Sequence, residues 1–223
     1  AGAMSAFSSW GPAADGRIKP DVVADGVSVL SCADPGTGYR AMSGTSMATP
    51  AVTGAALQLR ELLVREGWAE PPAAALKALL VHGARDLVSG PGYAPGPDAA
   101  SGWGMVDAEA SARAAGDGAL ALFAVGQGEQ LSWELEIPAG SAALRATLAW
   151  SDPAPSLAAA AQLVHDLDLV AIDPAGGEHW PWALDAAAPA AAARRDAPNR
   201  RDNLERIDVE QPAAGRWELR VRG

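Results

Sequence analysis

The 223-residue sequence contains one cysteine, two lysines and three histidines, and no apolar run approaches the length of a bilayer span. Each scarcity removes a class of function. Cys32 alone closes no intramolecular disulfide and builds no thiolate zinc cage, so any metal must be held by oxygen ligands. Its simplest role is that of a small buried hydrophobe. A transmembrane helix needs roughly 20 consecutive apolar residues, and the alanine runs here are cut by Pro, Asp or Arg. Basic side chains number 17 against 27 acidic ones, a formal charge of −10 that disfavours a nucleic-acid partner. The acidity is uneven. Residues 1–115 carry 8 Lys/Arg and 11 Asp/Glu, whereas residues 116–223 carry 9 and 16. That excess serves solubility or binds a cation.

What is present is a soluble globular composition, 49% hydrophobic and 20% charged, with alanine supplying much of the apolar fraction. The length suits two compact units. Residues 1–6 have neither the charged nor the apolar region of a signal peptide, and the sequence reads as starting within a domain. Short apolar runs between residues 7–12 and 19–30, punctuated by Gly and Pro, predict strands, with a loop over 34–38. Val52, Ala55, Ala56, Leu59, Leu62 and Leu63 recur at helical spacing and predict a helix over 51–65, with Pro50 at its first turn. Further helices are expected over 72–82 and 105–115, separated by a Gly/Pro loop at 89–102. Beyond Gly116–Gly118 the texture changes. Strict alternation at Leu131, Trp133, Leu135 and Ile137 predicts a strand over 130–137, and 144–150, 166–172, 207–209 and 217–221 read likewise. The Ala/Pro-rich stretch 183–193 reads as a loop.

Ser46 carries the chemical interest. A serine hydroxyl becomes a nucleophile only when a base takes its proton, and the oxyanion it creates needs N–H donors. A helix N-terminus supplies a rigid mount and a favourable dipole. On spacing alone, however, Ser46 is equally a helix cap. The run Gly44-Thr45-Ser46-Met47-Ala48-Thr49-Pro50 resembles the nucleophile motif of the subtilisin-like serine peptidases. Phe7-Ser8-Ser9-Trp10-Gly11-Pro12, Gly16-Arg17-Ile18-Lys19-Pro20-Asp21-Val22 and Gly102-Trp103-Gly104-Met105-Val106-Asp107-Ala108 are similar to flanking stretches of that family. Asp25 stands where the family commonly has Pro, and Ala51 where it often has His.

This resemblance implies a serine endopeptidase that cleaves polypeptide substrates through an acyl-enzyme on Ser46. It also implies a general base and an orienting carboxylate upstream, since the family's chain order is Asp, His, Ser. His82, His165 and His179 match no such position. The expectation is therefore a secreted peptidase represented by its C-terminal piece. It would lack the N-terminal half of the catalytic domain and be inactive alone. A Ser-Lys pair would have to use Lys19 or Lys77, the sole lysines.

The second unit also carries a resemblance. Leu148-Ala149-Trp150-Ser151-Asp152-Pro153, Leu163-Val164-His165-Asp166-Leu167-Asp168-Leu169 and Arg201-Asp202-Asn203-Leu204-Glu205 are similar to the C-terminal jelly-roll domain of large alkaline subtilases. His165 stands where Asn is usual. The resemblance implies bound calcium, for which Asp152, Asp166, Asp168, Asp202, Asn203 and Glu205 are the candidate ligands. A solvated acidic strand edge accounts equally for these residues. The expected architecture is thus an α/β piece over 1–115, the C-terminal part of a mostly parallel sheet with helices. An all-β jelly-roll or sandwich follows over 116–223, with a final hairpin missing. Two other classes stay open. One is a non-catalytic calcium- or partner-binding module with a subtilase remnant as scaffold. The other is a sugar-binding platform built on Trp150, Trp180, Trp182 and Trp217.

Overall fold

The computed structural model describes residues 2–33, 36–87, 93–116, 118–156, 158–159 and 161–223. The predicted loops at 34–38 and 89–102 therefore lie partly outside the described residues. The first regular element is a short antiparallel hairpin, β1 (Val29–Cys32) and β2 (Tyr39–Met42), with Val29 opposite Met42 and Cys32 opposite Tyr39. It leads directly into helix α1 (Thr45–Arg65), followed by α2 (Ala73–Gly83) and α3 (Ala108–Gly116).

The expected mostly parallel sheet does not form here. Parallel pairing among the described residues of this unit is reduced to one bridge, Val23 with Met105, and residues 7–12 form no strand. A strand exists only where a neighbour takes its N–H and C=O groups. The extended segments around β1 have no such neighbour. Segment 101–106 is instead laced to 20–23 and to Arg85 by main-chain bonds. Trp103 N donates to Asp21 O at 3.0 Å, Val23 N to Gly104 O at 2.9 Å, and Met105 N to Arg85 O at 2.8 Å. Gly102 makes this approach possible. Its φ of 60° and a hypothetical Cβ at 1.7 Å from Pro20 O leave no room for a side chain. Gly102→Ala is expected to cost roughly 2–3 kcal/mol, read as a lowered midpoint in urea denaturation with an unchanged m-value.

Helix α1 starts six residues earlier than its apolar spacing suggests, because the positions that define that spacing begin only at Val52. Pro50 consequently lies in the second turn, not the first. The start of α3 is set by Asp107, whose Oδ1 accepts from Ala110 N at 2.9 Å and whose carbonyl accepts from Ser111 N at 3.0 Å. Leu59, Leu63, Ala75, Leu79 and Ala115 close the core between the three helices.

The second unit is all antiparallel. Strands β3 (Gln130–Ile137), β5 (Asp168–Ile172), β6 (Glu178–His179) and β8 (Gly215–Arg222) form one sheet in the order β3-β8-β5-β6. β4 (Ala143–Ala149) and β7 (Leu204–Glu210) form a two-stranded sheet. Leu144, Ala146, Leu148 and Ile207 from the small sheet pack with Leu169, Ala171, Trp217 and Val221 from the large one. The result is two sheets over a common core, with six strands among the described residues where a full jelly roll has eight. Trp217 is almost wholly buried and Trp182 donates its indole N–H to Asp208 at 2.9 Å. These tryptophans serve packing and anchoring and form no shared exposed platform.

The helical and β units share a third core. Ile18, Val81, Ala84 and Trp103 pack with Trp182, Leu184 and Leu204. Polar contacts reinforce it. The side chains of Arg206 and Arg145, from β7 and β4, donate to the carbonyls of Val81 and His82 at the C-terminal end of α2, at 2.9 and 2.6 Å. The last-turn carbonyls of a helix lack i+4 donors, that of Val81 having only the C-cap N–H of Ala84 at 3.3 Å, and cations suit that end of the dipole.

Candidate active site

The hairpin and α1 together mount Ser46. Gly44 is extended, with φ 157° and ψ 161°, and is the residue from which the chain enters the helix. Its N–H donates to Gly26 O at 2.8 Å, while Ser43 Oγ accepts from Ser28 N at 2.8 Å. Gly26 is needed for close approach: a Cβ there would stand 2.7 Å from Gly44 O and 3.3 Å from the Ala48 methyl. These supporting residues are absent from the motif reading. The signal available for them is the Asp25-Gly26 turn pair.

Ser46 is exposed in the first turn of α1. An amide there has no helical acceptor, so its N–H can face a ligand oxygen, and the helix dipole favours negative charge at that point. Pro50 adds a local effect. An α-helix pairs residue 50 with the carbonyl of Ser46, and proline has no N–H to give, so that carbonyl is left outside the ladder. The arrangement presents an exposed hydroxyl and a main-chain N–H at the positive end of the helix dipole.

The possible bases are engaged elsewhere. His82 Nδ1 lies 3.1 Å from Thr147 Oγ1, His165 pairs with Asp152 at 3.0 Å, and His179 pairs with Asp173 at 3.2 Å. Lys19 pairs with Asp21 at 2.5 Å, and Lys77 contacts Asn203 at 2.9 Å and Asp21 at 3.5 Å.

Burial, followed by the charges of Arg145 and Arg206, depresses the His82 pKa from 6.5 to about 4. The folded state therefore resists a proton that the unfolded chain accepts near 6.5. Stability is expected to be at its full value above that range and to fall as pH drops towards 4, by a few kcal/mol on the order of 1.4 per unit. Urea midpoints measured from pH 7.5 to 4 check this, and His82→Gln is expected to flatten the slope.

The six candidate metal ligands are dispersed. Asp152 accepts from Val164 N at 2.7 Å and His165 N at 3.0 Å. Asp202 is buried where β7 begins, accepting from Ile18 N at 2.8 Å and Asn199 Nδ2 at 3.0 Å. Asn203 bonds Lys77 and the carbonyl of Trp150. Only Asp166, Asp168 and Glu205 share one corner. Glu205 is fully buried, with Oε2 accepting from Leu169 N at 2.6 Å and Oε1 without a partner. Burial holds its pKa well above the usual carboxylate value, and Asp168 and Asp166 push in the same direction. Calcium wants six to eight oxygens. Among the described residues no group of three or more His, Cys, Asp or Glu side chains is arranged to hold a metal ion. Arg200 already reaches into the Asp166–Asp168 corner, 2.6 and 2.9 Å from the two carboxylates. As they stand, these side chains do not fit a calcium ion.

Two kinds of comparison bear on the Ser46 mount. The chain is 37% identical over 109 residues to the serine protease/ABC transporter B family protein tagB of Dictyostelium discoideum, a stretch covering 38% of this chain and 6% of that protein. It is 51% identical over 51 residues to a C5a peptidase of Streptococcus pyogenes, covering 23% of this chain and 4% of the peptidase. The chain thus spans a small part of either relative. No helix among the described residues is long and apolar enough to cross a membrane. Residues 1–104, which include the hairpin, the mount and Ser46, match the Subtilase family of peptidases, so the α/β part of this chain is subtilase-like.

Proposed function

We propose that residues 1–115 are the nucleophile-bearing part of a secreted subtilisin-like serine endopeptidase. Ser46 Oγ attacks the peptide carbonyl as its proton passes to the general base. The C–N bond breaks and the amine leaves with that proton. Water then hydrolyses the acyl-enzyme ester, releasing the acid and restoring the hydroxyl. The Ser46 N–H is one donor to the oxyanion. The observation that carries this reading is the exposed Ser46 in the first turn of α1, inside the motif Gly44 to Pro50. The match of residues 1–104 to the Subtilase family and the serine-protease and peptidase names of the relatives support it.

The general base, its orienting carboxylate and the walls of the substrate cleft come from polypeptide outside residues 1–223. The three histidines engaged elsewhere support this, and so does the surface beside the mount. Val27, Leu30, Tyr39 and Met42 on or next to the hairpin are exposed, with Leu30 and Tyr39 keeping 68% and 70% of their accessible surface. Leu57 and Val64 on α1 are exposed too. Exposed apolar side chains in this number suit contact with further polypeptide, and the complementary partner is the rest of a catalytic domain.

The 223-residue chain alone therefore hydrolyses peptides at no more than the small residual rate that an incomplete site supplies. Peptide hydrolysis by this chain is to be compared with hydrolysis by a polypeptide that also contains the preceding residues of its gene. Activity only in the longer form is expected. Full activity in the short chain overturns the division of the triad, and inactivity in both favours the non-catalytic module.

A further inference from the structure

We propose that Arg200 is a built-in counter-ion for the Asp166–Asp168–Glu205 corner and takes the seat that a divalent cation would otherwise occupy. One guanidinium nitrogen bridges two carboxylates. Arg200 Nη1 lies 2.6 Å from Asp166 Oδ2 and 2.9 Å from Asp168 Oδ1, the second at an angle too poor for a directed hydrogen bond. Asp166 and Asp168 are two residues apart, so an extended chain turns both to one face. A positive centre between two such oxygens stands where a hard cation sits, since calcium takes oxygen ligands at about 2.3–2.6 Å.

Behind them is a third carboxylate. Glu205 belongs to β7 of the small sheet, whereas Asp168 begins β5 of the large one, and Glu205 Oε2 accepts from Leu169 N. The corner therefore ties the two sheets together. Its Oε1 is buried without a partner, and Asp166, Asp168 and Arg200 all act on its charge. Asp166 and Asp168, turned to one face, repel each other unless positive charge is supplied, and burial disfavours a further charge on Glu205 beside them.

The protein holds that charge in place. Asn199, only 1% exposed, accepts from Arg201 N at 3.0 Å and Asp202 N at 3.2 Å, and donates to Trp182 O at 3.1 Å and Asp202 Oδ2 at 3.0 Å. The backbone that presents Arg200 is thus fixed before the ion pair forms, so less freedom is lost in making it. A calcium ion entering the corner would have to displace a guanidinium already there.

The test is thermal unfolding of the 223-residue chain in excess EDTA and in millimolar calcium chloride. The unsubstituted chain is expected to unfold at the same temperature in both. Arg200→Gln leaves the carboxylates unneutralised, so its Tm in EDTA falls by roughly 3–6 °C and calcium chloride restores most of the loss. Asp166→Asn combined with Arg200→Gln removes one ligand, and the calcium response disappears. If Arg200→Gln does not fold in EDTA, refolding in calcium chloride must recover it. An unsubstituted chain that loses stability in EDTA overturns the proposal, as does an Arg200→Gln variant indifferent to calcium.

Discussion

Ser46→Ala, made in a polypeptide that includes the residues preceding this chain, is expected to lower kcat by roughly 10⁵–10⁶-fold with KM nearly unchanged. The size follows from what is removed. With no hydroxyl there is no acyl-enzyme, and what survives is substrate binding and oxyanion stabilisation of direct attack by water. Substrate binding itself is made by a cleft to which a single hydroxyl contributes little, so KM is spared. Thr53→Ala controls for a general disturbance of α1. Thr53 is exposed two turns further on and bonds only the Thr49 carbonyl, at 3.1 Å. Its loss is expected to change kcat less than threefold, within about 0.5 kcal/mol. Comparable losses in both variants point to a structural role for Ser46, that of a helix-start residue.

Arg206→Ala is expected to destabilise the chain by about 3–5 kcal/mol, a fall in Tm of roughly 6–15 °C. Arg206 is 2% exposed, and its surroundings explain why. Nε donates to Asp208 Oδ2 at 2.8 Å, Nη1 donates to Val81 O at 2.9 Å, and the guanidinium carbon stands 4.7 Å from the centroid of the Trp103 ring. One side chain thus joins β7, the end of α2 and the glycine-flanked Trp103. Truncation leaves the Val81 carbonyl with only the long bond from Ala84 N, at 3.3 Å, and opens a void under the indole. Asp208 keeps Arg145 at 2.5 Å and the Trp182 indole N–H at 2.9 Å. Burial opposes its charge, but Arg206 and Arg145 outweigh burial and hold its pKa below the usual value. Arg206→Met fills the void and is expected to lose about half as much. A common core of Ile18, Val81 and Trp103 with Trp182 and Leu204 also implies one cooperative transition. Two separate transitions, with only the later one moved by Arg206→Ala, contradict that linkage.

Elements that a local pattern defines were legible in the sequence. The alternation of Leu131, Trp133, Leu135 and Ile137 gives β3, and Leu76, Leu79 and Leu80 give α2 within a residue at either end. Elements that depend on a distant partner were not. Tyr39–Met42 has no alternation of burial and is a strand only because Val29–Cys32 lies beside it. The runs at 7–12 and 19–28 have strand composition, but their main-chain bonds are isolated ones, Gly11 N to Ala99 O, the Val23–Met105 bridge and Gly44 N to Gly26 O, and build no continuous ladder.

The site divides the same way. Ser46 stands in a contiguous motif that names itself. Its support by Gly26 and Ser43 depends on the turn of the chain back on itself. The arginines were least legible. Arg200 and Arg201 fall in no periodic pattern, yet one bridges Asp166 and Asp168 and the other donates to the Asp15 carbonyl at 2.6 Å. The partners lie 34 and 186 positions away, beyond the reach of any periodicity. The six acidic and amide residues grouped as one calcium shell come from three separate stretches, at 152, 166–168 and 202–205. The strand ends carry three of them into separate hydrogen-bond networks.

Labelling with a fluorophosphonate probe, followed by peptide mass mapping, tests the account most directly. In a polypeptide that supplies the preceding residues, the adduct is expected on the peptide containing Ser46, with none formed by residues 1–223 alone. An adduct on any other residue, or an unlabelled Ser46 in the longer polypeptide, contradicts a nucleophile whose proton acceptor lies elsewhere in the same enzyme.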